Sequence, residues 1–237
     1  PSPSVTTSEF SVETRWAPNE QFYQGKIYRV PIVGRYPVYT LLFTAGVKGL
    51  FNGQYDYQSL TGSVSKRFLL SQLGYSNVTF QGGYLFGQVP FPLLTIHRAN
   101  QTYAYQLNSY NLMNFLEFVS DHYASLHVDH SFNGFFFNKI PLFKKLKWRE
   151  AISVKALYGG LRSQNDPRLN PTLYQFPVDA AGVPYTYTLT RTPYVEVSAG
   201  VSNVLKFFRI DLVKRLNYLD NPNVSQWGIR ARATFDF

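Results

Sequence analysis

Hydrophobic positions in this chain fall on alternate residues rather than at helical spacing, and the pattern is clearest at the end. From Trp227 onward one parity reads Trp227, Ile229, Ala231, Ala233, Phe235, Phe237, and the other Gly228, Arg230, Arg232, Thr234, Asp236. Successive strand side chains point to opposite faces, so this segment predicts a strand with one apolar and one charged face. The same period of two recurs over residues 10–16, 39–47, 55–68, 78–86, 124–132, 149–158, 195–202 and 208–212, which makes nine predicted strands.

Two architectures produce such alternation. A soluble sandwich or lipocalin-like barrel turns its apolar parity inward, and a transmembrane barrel turns it toward lipid. Strand length separates them. Soluble strands usually run about five or six residues, whereas a tilted strand crossing a bilayer needs about ten, and several of these runs approach that length. Trp16, Tyr75, Trp148, Tyr158, Tyr194 and Trp227 fall near predicted strand ends, as interfacial aromatic girdles require. The fold class expected is therefore all-β, a transmembrane antiparallel β-barrel.

Composition sharpens this picture. Aromatic residues make up 17% of 237 residues and charged residues only 16%, against roughly 25% charged in an average soluble domain. Mean hydropathy is −0.18, and no run of about 18 apolar residues is present, so a membrane-spanning helix is excluded. The absence of cysteine removes disulfides, cysteine-based zinc sites and cysteine nucleophiles together.

Connection lengths orient the strands. If the last strand runs down to a periplasmic end, the long segments 88–116 and 161–192 both fall outside, and the short ones at 70–73 and 203–206 both fall inside. The inner connections are basic: Lys26, Arg29, Arg35, Lys66, Arg67, Lys139, Lys144, Lys145, Lys147, Arg149 and Lys206. Much of the net charge of +9 then sits at one rim, suited to anionic headgroups or acidic periplasmic partners. Cations that merely keep the turns solvated explain the excess equally well. Nucleic acid is a poor partner, because no basic stripe is interleaved with exposed aromatics. Nine strands cannot close an up-and-down barrel, which needs an even number. Either one strand is miscounted, or residues 1–237 are the C-terminal part of a larger barrel.

The stretches QFYQGKIYRVPI, VPFPLLTIHRANQTY, NSYNLMNFLEFVSDHYASL, FNGFFFNKIPLFKKLKWRE and WGIRARATFDF resemble the C-terminal barrel region of a Bacteroidota outer-membrane family of unknown function. That family carries an N-terminal carboxypeptidase-like regulatory domain, which the resemblance places upstream of this chain. A more distant resemblance is to the BamA-type insertase superfamily, with a barrel of about sixteen strands and a long external loop followed by five strands. Segment 88–116 is likewise followed by five predicted strands, and IHRANQTY is similar to the arginine motif of that loop, with Arg98 in the arginine position. Ala99 and Asn100 stand where that motif has glycine and an aromatic. The resemblance implies outer-membrane localisation and a barrel architecture, not an established activity; the function expected is a BamA-like part in envelope biogenesis or a place as a barrel subunit of a larger envelope complex. A passive channel or transporter barrel is the alternative.

Physical chemistry gives Arg98 a role of its own. A guanidinium inside a barrel needs carboxylate partners, and Glu196 and Asp211 lie on the polar parity of later strands. Arg98 is thus expected to pin the loop to one of them, with an exposed loop arginine as the competing reading. Catalysis finds no footing. His127 and His130 differ by an odd number and face opposite sides of a strand, and Asp121 and His122 are expected to diverge in the same way. Carboxylates are scattered and no phosphate-binding glycine loop is present, so neither enzymatic activity, a metal nor a cofactor is expected. Trp227, Ile229, Phe235 and Phe237 form an apolar alternating terminus that resembles the C-terminal assembly signal of outer-membrane barrels. Its unpaired edge would suit strand addition by the insertion machinery. The partners expected are outer-membrane lipid, that machinery and other envelope proteins.

Overall fold

The computed structural model describes residues 4–32, 34 and 36–233. Each of the nine alternating segments forms a strand: β1 (Glu9–Trp16), β2 (Val38–Gly46), β3 (Tyr57–Leu69), β4 (Tyr75–Phe86), β5 (His122–Ser131), β6 (Arg149–Gly160), β7 (Tyr194–Val204), β8 (Phe208–Arg215) and β9 (Trp227–Ala233). They pair in chain order as one antiparallel sheet. β3, β4 and β6 reach 13, 12 and 12 residues, about twice the usual soluble strand.

The sheet does not close on itself. β1 and β9 stand at opposite ends of the strand order, so the described residues form no closed barrel, as the odd strand count requires. Meandering places the connections 47–56, 87–121, 161–193 and 216–226 at one end of the sheet. The connections 17–37, 70–74, 132–148 and 205–207 lie at the other. Both segments expected to lie together on length alone, 88–116 and 161–192, do share an end. The turn at 70–74 is tight because Gly74 has φ +84°, and a Cβ there would stand 1.9 Å from the Ser131 carbonyl oxygen.

Burial is reversed relative to a soluble sheet. On β6 the buried parity is Ala151, Ser153, Lys155 and Leu157, while Ile152, Val154 and Tyr158 are exposed. On β8 Arg209, Asp211 and Arg215 are buried and Ile210 and Leu212 are exposed. Exposure reaches 65% at Ile229 and 64% at Phe10. Apolar surface is therefore turned outward along most of the sheet, far beyond the few hundred Å² that a soluble monomer usually leaves open in one patch.

What covers the polar face is the chain's own 87–121 connection, assisted by 161–193. Its short strands Thr95–Ile96 and Phe118–Ser120 pair with each other, and Phe118–Ser120 also pairs with Tyr187–Thr188. The apolar clusters lie under this cover: Tyr110, Met113 and Phe118 pack with Leu157, Leu189 and Tyr194, and Val89, Leu94 and Val119 with Tyr57 and Leu85.

Candidate functional site: a charged wall that grips a loop backbone

Strand register creates the site. β6 and β7 set Lys155 directly beside Glu196, both buried and both pointing to the covered face. These two opposite charges read opposite ends of the loop's peptide groups. Glu196 Oε2 accepts the Asn111 amide at 2.8 Å and Oε1 accepts the Leu112 amide at 2.6 Å, with the Tyr194 hydroxyl donating to Oε1 at 2.5 Å. Lys155 Nζ donates to the carbonyls of Gln106 and Ser109. A carboxylate has only acceptors and an ammonium only donors, so the pair holds residues 106–112 through the main chain.

Arginines from the next strands extend the grip. Arg215 donates to Glu117 at 2.9 and 2.6 Å and to the Leu112 carbonyl at 3.4 Å; its side chain and that of Glu117 are 0% and 1% exposed. Arg230 on β9 donates to the Asn111 carbonyl at 2.8 Å. The loop also pairs with the outer edge of β9. The Tyr105 amide donates to the Ala231 carbonyl at 2.8 Å, and the Ala231 amide to the Tyr103 carbonyl at 3.1 Å.

Inside the loop, two asparagines organise the turn. Asn100 Nδ2 donates to the Ala104 carbonyl at 2.6 Å and to Asn111 Oδ1 at 2.9 Å, and Asn100 Oδ1 accepts from Thr102. Asn111 Oδ1 also accepts the Gln106 amide at 3.0 Å. Sequence reasoning missed both residues. Their signal was present in the ANQTY and SYNLM segments, as asparagines inside a long connection, a residue type that bonds nearby backbone to set turns.

Arg98 is not the pin. It is exposed, no ion pair among the described residues includes it, and its main-chain carbonyl accepts the Tyr110 amide at 2.9 Å. Glu196 does hold the loop, but by main-chain amides instead of a guanidinium. Asp211 is committed elsewhere: Arg209 donates to it at 2.7 and 2.9 Å and reaches Asp129 at 2.9 Å. Gly200 faces Asp211 across the strands, and a Cβ there would stand 2.4 Å from Asp211 Oδ1.

Toward the long-connection end a second hub forms on Asp121. It binds His122 Nδ1 at 2.7 Å, Arg162 Nε at 2.8 Å and Asn165 Nδ2 at 2.8 Å. The expected divergence of Asp121 and His122 fails because Asp121 sits at the break between Phe118–Ser120 and β5, where alternation is interrupted. Burial pushes the Asp121 carboxyl up, but hydrogen bonds from Asn165, His122 and Arg162 outweigh this and hold it below the ordinary carboxylate value. Nearby, His97 Nε2 pairs with Ser120 Oγ at 2.9 Å, and burial pushes the imidazole down to about 3. Ser120 and His97 are both buried. His127 packs edge-on against Tyr110 at 5.1 Å while His130 Nδ1 meets Ser76 Oγ at 2.7 Å. Among the described residues no group of three or more His, Cys, Asp and Glu is placed to hold a metal.

Residues 2–164 match the C-terminal domain of a family of unknown function, DUF5686. The chain belongs to that family. The matched span of this DUF5686 domain runs from β1 through β6 and includes the whole gripped loop. Glu196, Arg215 and Arg230, which hold the loop, lie beyond it. No curated protein matches the chain.

The remaining sequence-derived positions are easily placed. Trp227 and Ile229 are exposed on β9, and Phe235 and Phe237 lie outside the described residues, as does Arg35. Lys144 and Lys145 lie in α1 (Pro141–Leu146), Lys147 follows it in a left-handed conformation, and Arg149 opens β6. All four are exposed.

Proposed function

We propose that the chain is the C-terminal part of an outer-membrane β-barrel whose polar interior is occupied by its own 87–121 loop. In this reading the barrel acts in envelope biogenesis, or as a barrel subunit of a larger envelope complex, and carries out no chemistry itself. The supporting observation is the pairing of an outward apolar parity with a buried polar face whose Glu196 and Lys155 grip the loop backbone. Lipid is the solvent that accepts the first, and only a filled interior satisfies the second. The outer edge of β1 has no strand partner among the described residues and that of β9 is met only by residues 103–105, which supports the view that further strands complete the barrel, since open edges are prohibitive in a bilayer. A passive channel would need an open bore, which a loop held by buried charges opposes.

These 237 residues hold no cysteine, so with any upstream cysteines replaced a direct test is available. Single cysteines along β6 of the full-length protein, reconstituted in vesicles, are expected to take a bilayer-confined maleimide at Ile152 and Val154 and to resist it at Ser153. Uniform labelling by a water-soluble maleimide would overturn the membrane reading. The same vesicles should show little ion conductance and should accelerate insertion of a second outer-membrane barrel. Steady conductance without acceleration would return the assignment to a channel.

A further inference from the structure

The basic end of the sheet shows more than an excess of charge. Three of its connections, 70–74, 132–148 and 205–207, taken with the strand ends beside them at 66–69 and Arg149, together hold eight cations and no carboxylate. The same connections expose large apolar side chains: Leu69 and Leu70, then Phe136, Ile140, Leu142 and Leu146, then Leu205 at 73%. They are physically joined. Gly74 packs against the chain at Ser131 and Phe132, and Asn203 Nδ2 donates to the Lys147 carbonyl at 2.7 Å. At the opposite end the connections carry Asp56, Glu117, Asp121, Asp166, Asp179 and Asp220.

The middle connection is a built object. Its aromatic rings pack on one another, Phe132 edge-on to Phe136 at 5.2 Å, Phe137 tilted against Phe143 at 4.5 Å and Phe143 stacked on Trp148 at 5.7 Å. The nearest carboxylate, Glu150, is buried, and its Oε1 accepts the Phe136 and Phe137 amides at 2.5 and 2.8 Å. It forms no ion pair with the rim cations among the described residues. Leu142 and Leu146, four residues apart on α1, share a face. Lys144, Lys145 and Lys147 stand exposed beside them and enter no ion pair among the described residues.

Exposed leucines next to unpaired ammonium groups suit a boundary where hydrocarbon and phosphate meet. Apolar side chains enter the acyl boundary there while lysine stems extend along it and place their charges among headgroups. An acidic protein partner would satisfy the cations but would leave the leucines without a reason. We propose that the 132–149 connection is an interfacial docking element that seats on the phosphate layer of an anionic phospholipid leaflet, the one the barrel itself crosses. The proposal rests on the membrane reading above.

Trp148 supplies the reporter. With Trp16→Phe and Trp227→Phe in the full-length protein, Trp148 is the one tryptophan left of the three in this chain; any upstream tryptophans are replaced as well. In mixed phosphatidylcholine and phosphatidylglycerol vesicles, brominated phosphatidylglycerol should quench it more than brominated phosphatidylcholine at equal content. Lys144→Glu, Lys145→Glu and Lys147→Glu together should lower that preference on the order of tenfold or more, and the matching Arg substitutions should keep it. Insertion with equal quenching by both lipids, or a preference unchanged by the Glu substitutions, overturns this proposal alone. So does tighter binding of soluble polyglutamate than of the anionic vesicle. Failure to enter either vesicle overturns the membrane reading and this proposal with it.

Discussion

The first four strands and the last four line the same polar face with different chemistry. Across β1 to β4 the pairs are hydroxyl to hydroxyl: Ser11 with Thr44 at 2.9 Å, Thr40 with Ser63 at 2.6 Å, and Ser65 with Thr79 at 3.0 Å. Among the described residues nothing covers β1, whose eight residues are all exposed. Across β6 to β9 the same face carries Lys155, Glu196, Arg209, Asp211, Arg215 and Arg230, and the loop lies over it. Small hydroxyls bond sideways to their neighbours and tolerate water, so they make a wall. Long charged groups with few partners in the sheet must find them above it, so they make a clamp.

Breaking the clamp at its most buried pair should cost most. Arg215→Met leaves Glu117 buried without its guanidinium, for an expected loss of about 3–5 kcal/mol. Unfolding in detergent should register it, and the double variant with Glu117→Leu should regain a large part if desolvation is the cause. A fully additive double variant would contradict this. Next comes Glu196→Gln, which weakens two charge-assisted bonds to loop amides and is expected to cost about 2–4 kcal/mol. Its sharper signature is protease cleavage within residues 106–112 while the strands stay resistant.

Acid should loosen the covered half first. His97 has a folded pKa of about 3, below the roughly 6.5 of an unfolded histidine. Its contribution is therefore complete above that unfolded value and declines as pH falls toward 3, by about 2 kcal/mol between pH 6.5 and 5. His97→Gln should flatten that slope, and an unchanged pH profile would remove His97 as its source. Asp121, held below the ordinary carboxylate value, keeps its contribution above that ordinary value and loses it as pH falls through its folded pKa. The smallest effect belongs to the uncovered wall. Thr40→Val removes one partly buried hydroxyl pair and should cost about 1 kcal/mol or less, with no change in loop cleavage.

Legibility in the sequence followed the range of the interaction. All nine strands were readable because alternation is written into neighbouring residues, as Ile152, Ser153, Val154 and Lys155 illustrate. The carboxylate that meets the loop was readable too, since Glu196 lies on the polar parity of its strand. The loop residue that meets it was not. A conspicuous guanidinium pointed to Arg98, whereas the contact uses the main-chain amides of Asn111 and Leu112, which no side-chain pattern marks. The Asp121 and His122 bond was hidden for a related reason, because it depends on a strand break that the sequence does not announce.

Taken alone, then, the sequence determined the strands, their two faces, the shared end of the long connections and the cation-rich turns at the other. Each is a property of spacing within a short window. Tertiary structure decided how the 87–121 loop is seated, that Lys155 and Glu196 act as one backbone grip, and that Arg98 stays in solvent. Those outcomes join groups as far apart as Asn111 and Glu196, 85 residues distant in the chain, and they depend on strand register, which places Lys155 opposite Glu196 and sets both beneath the same turn.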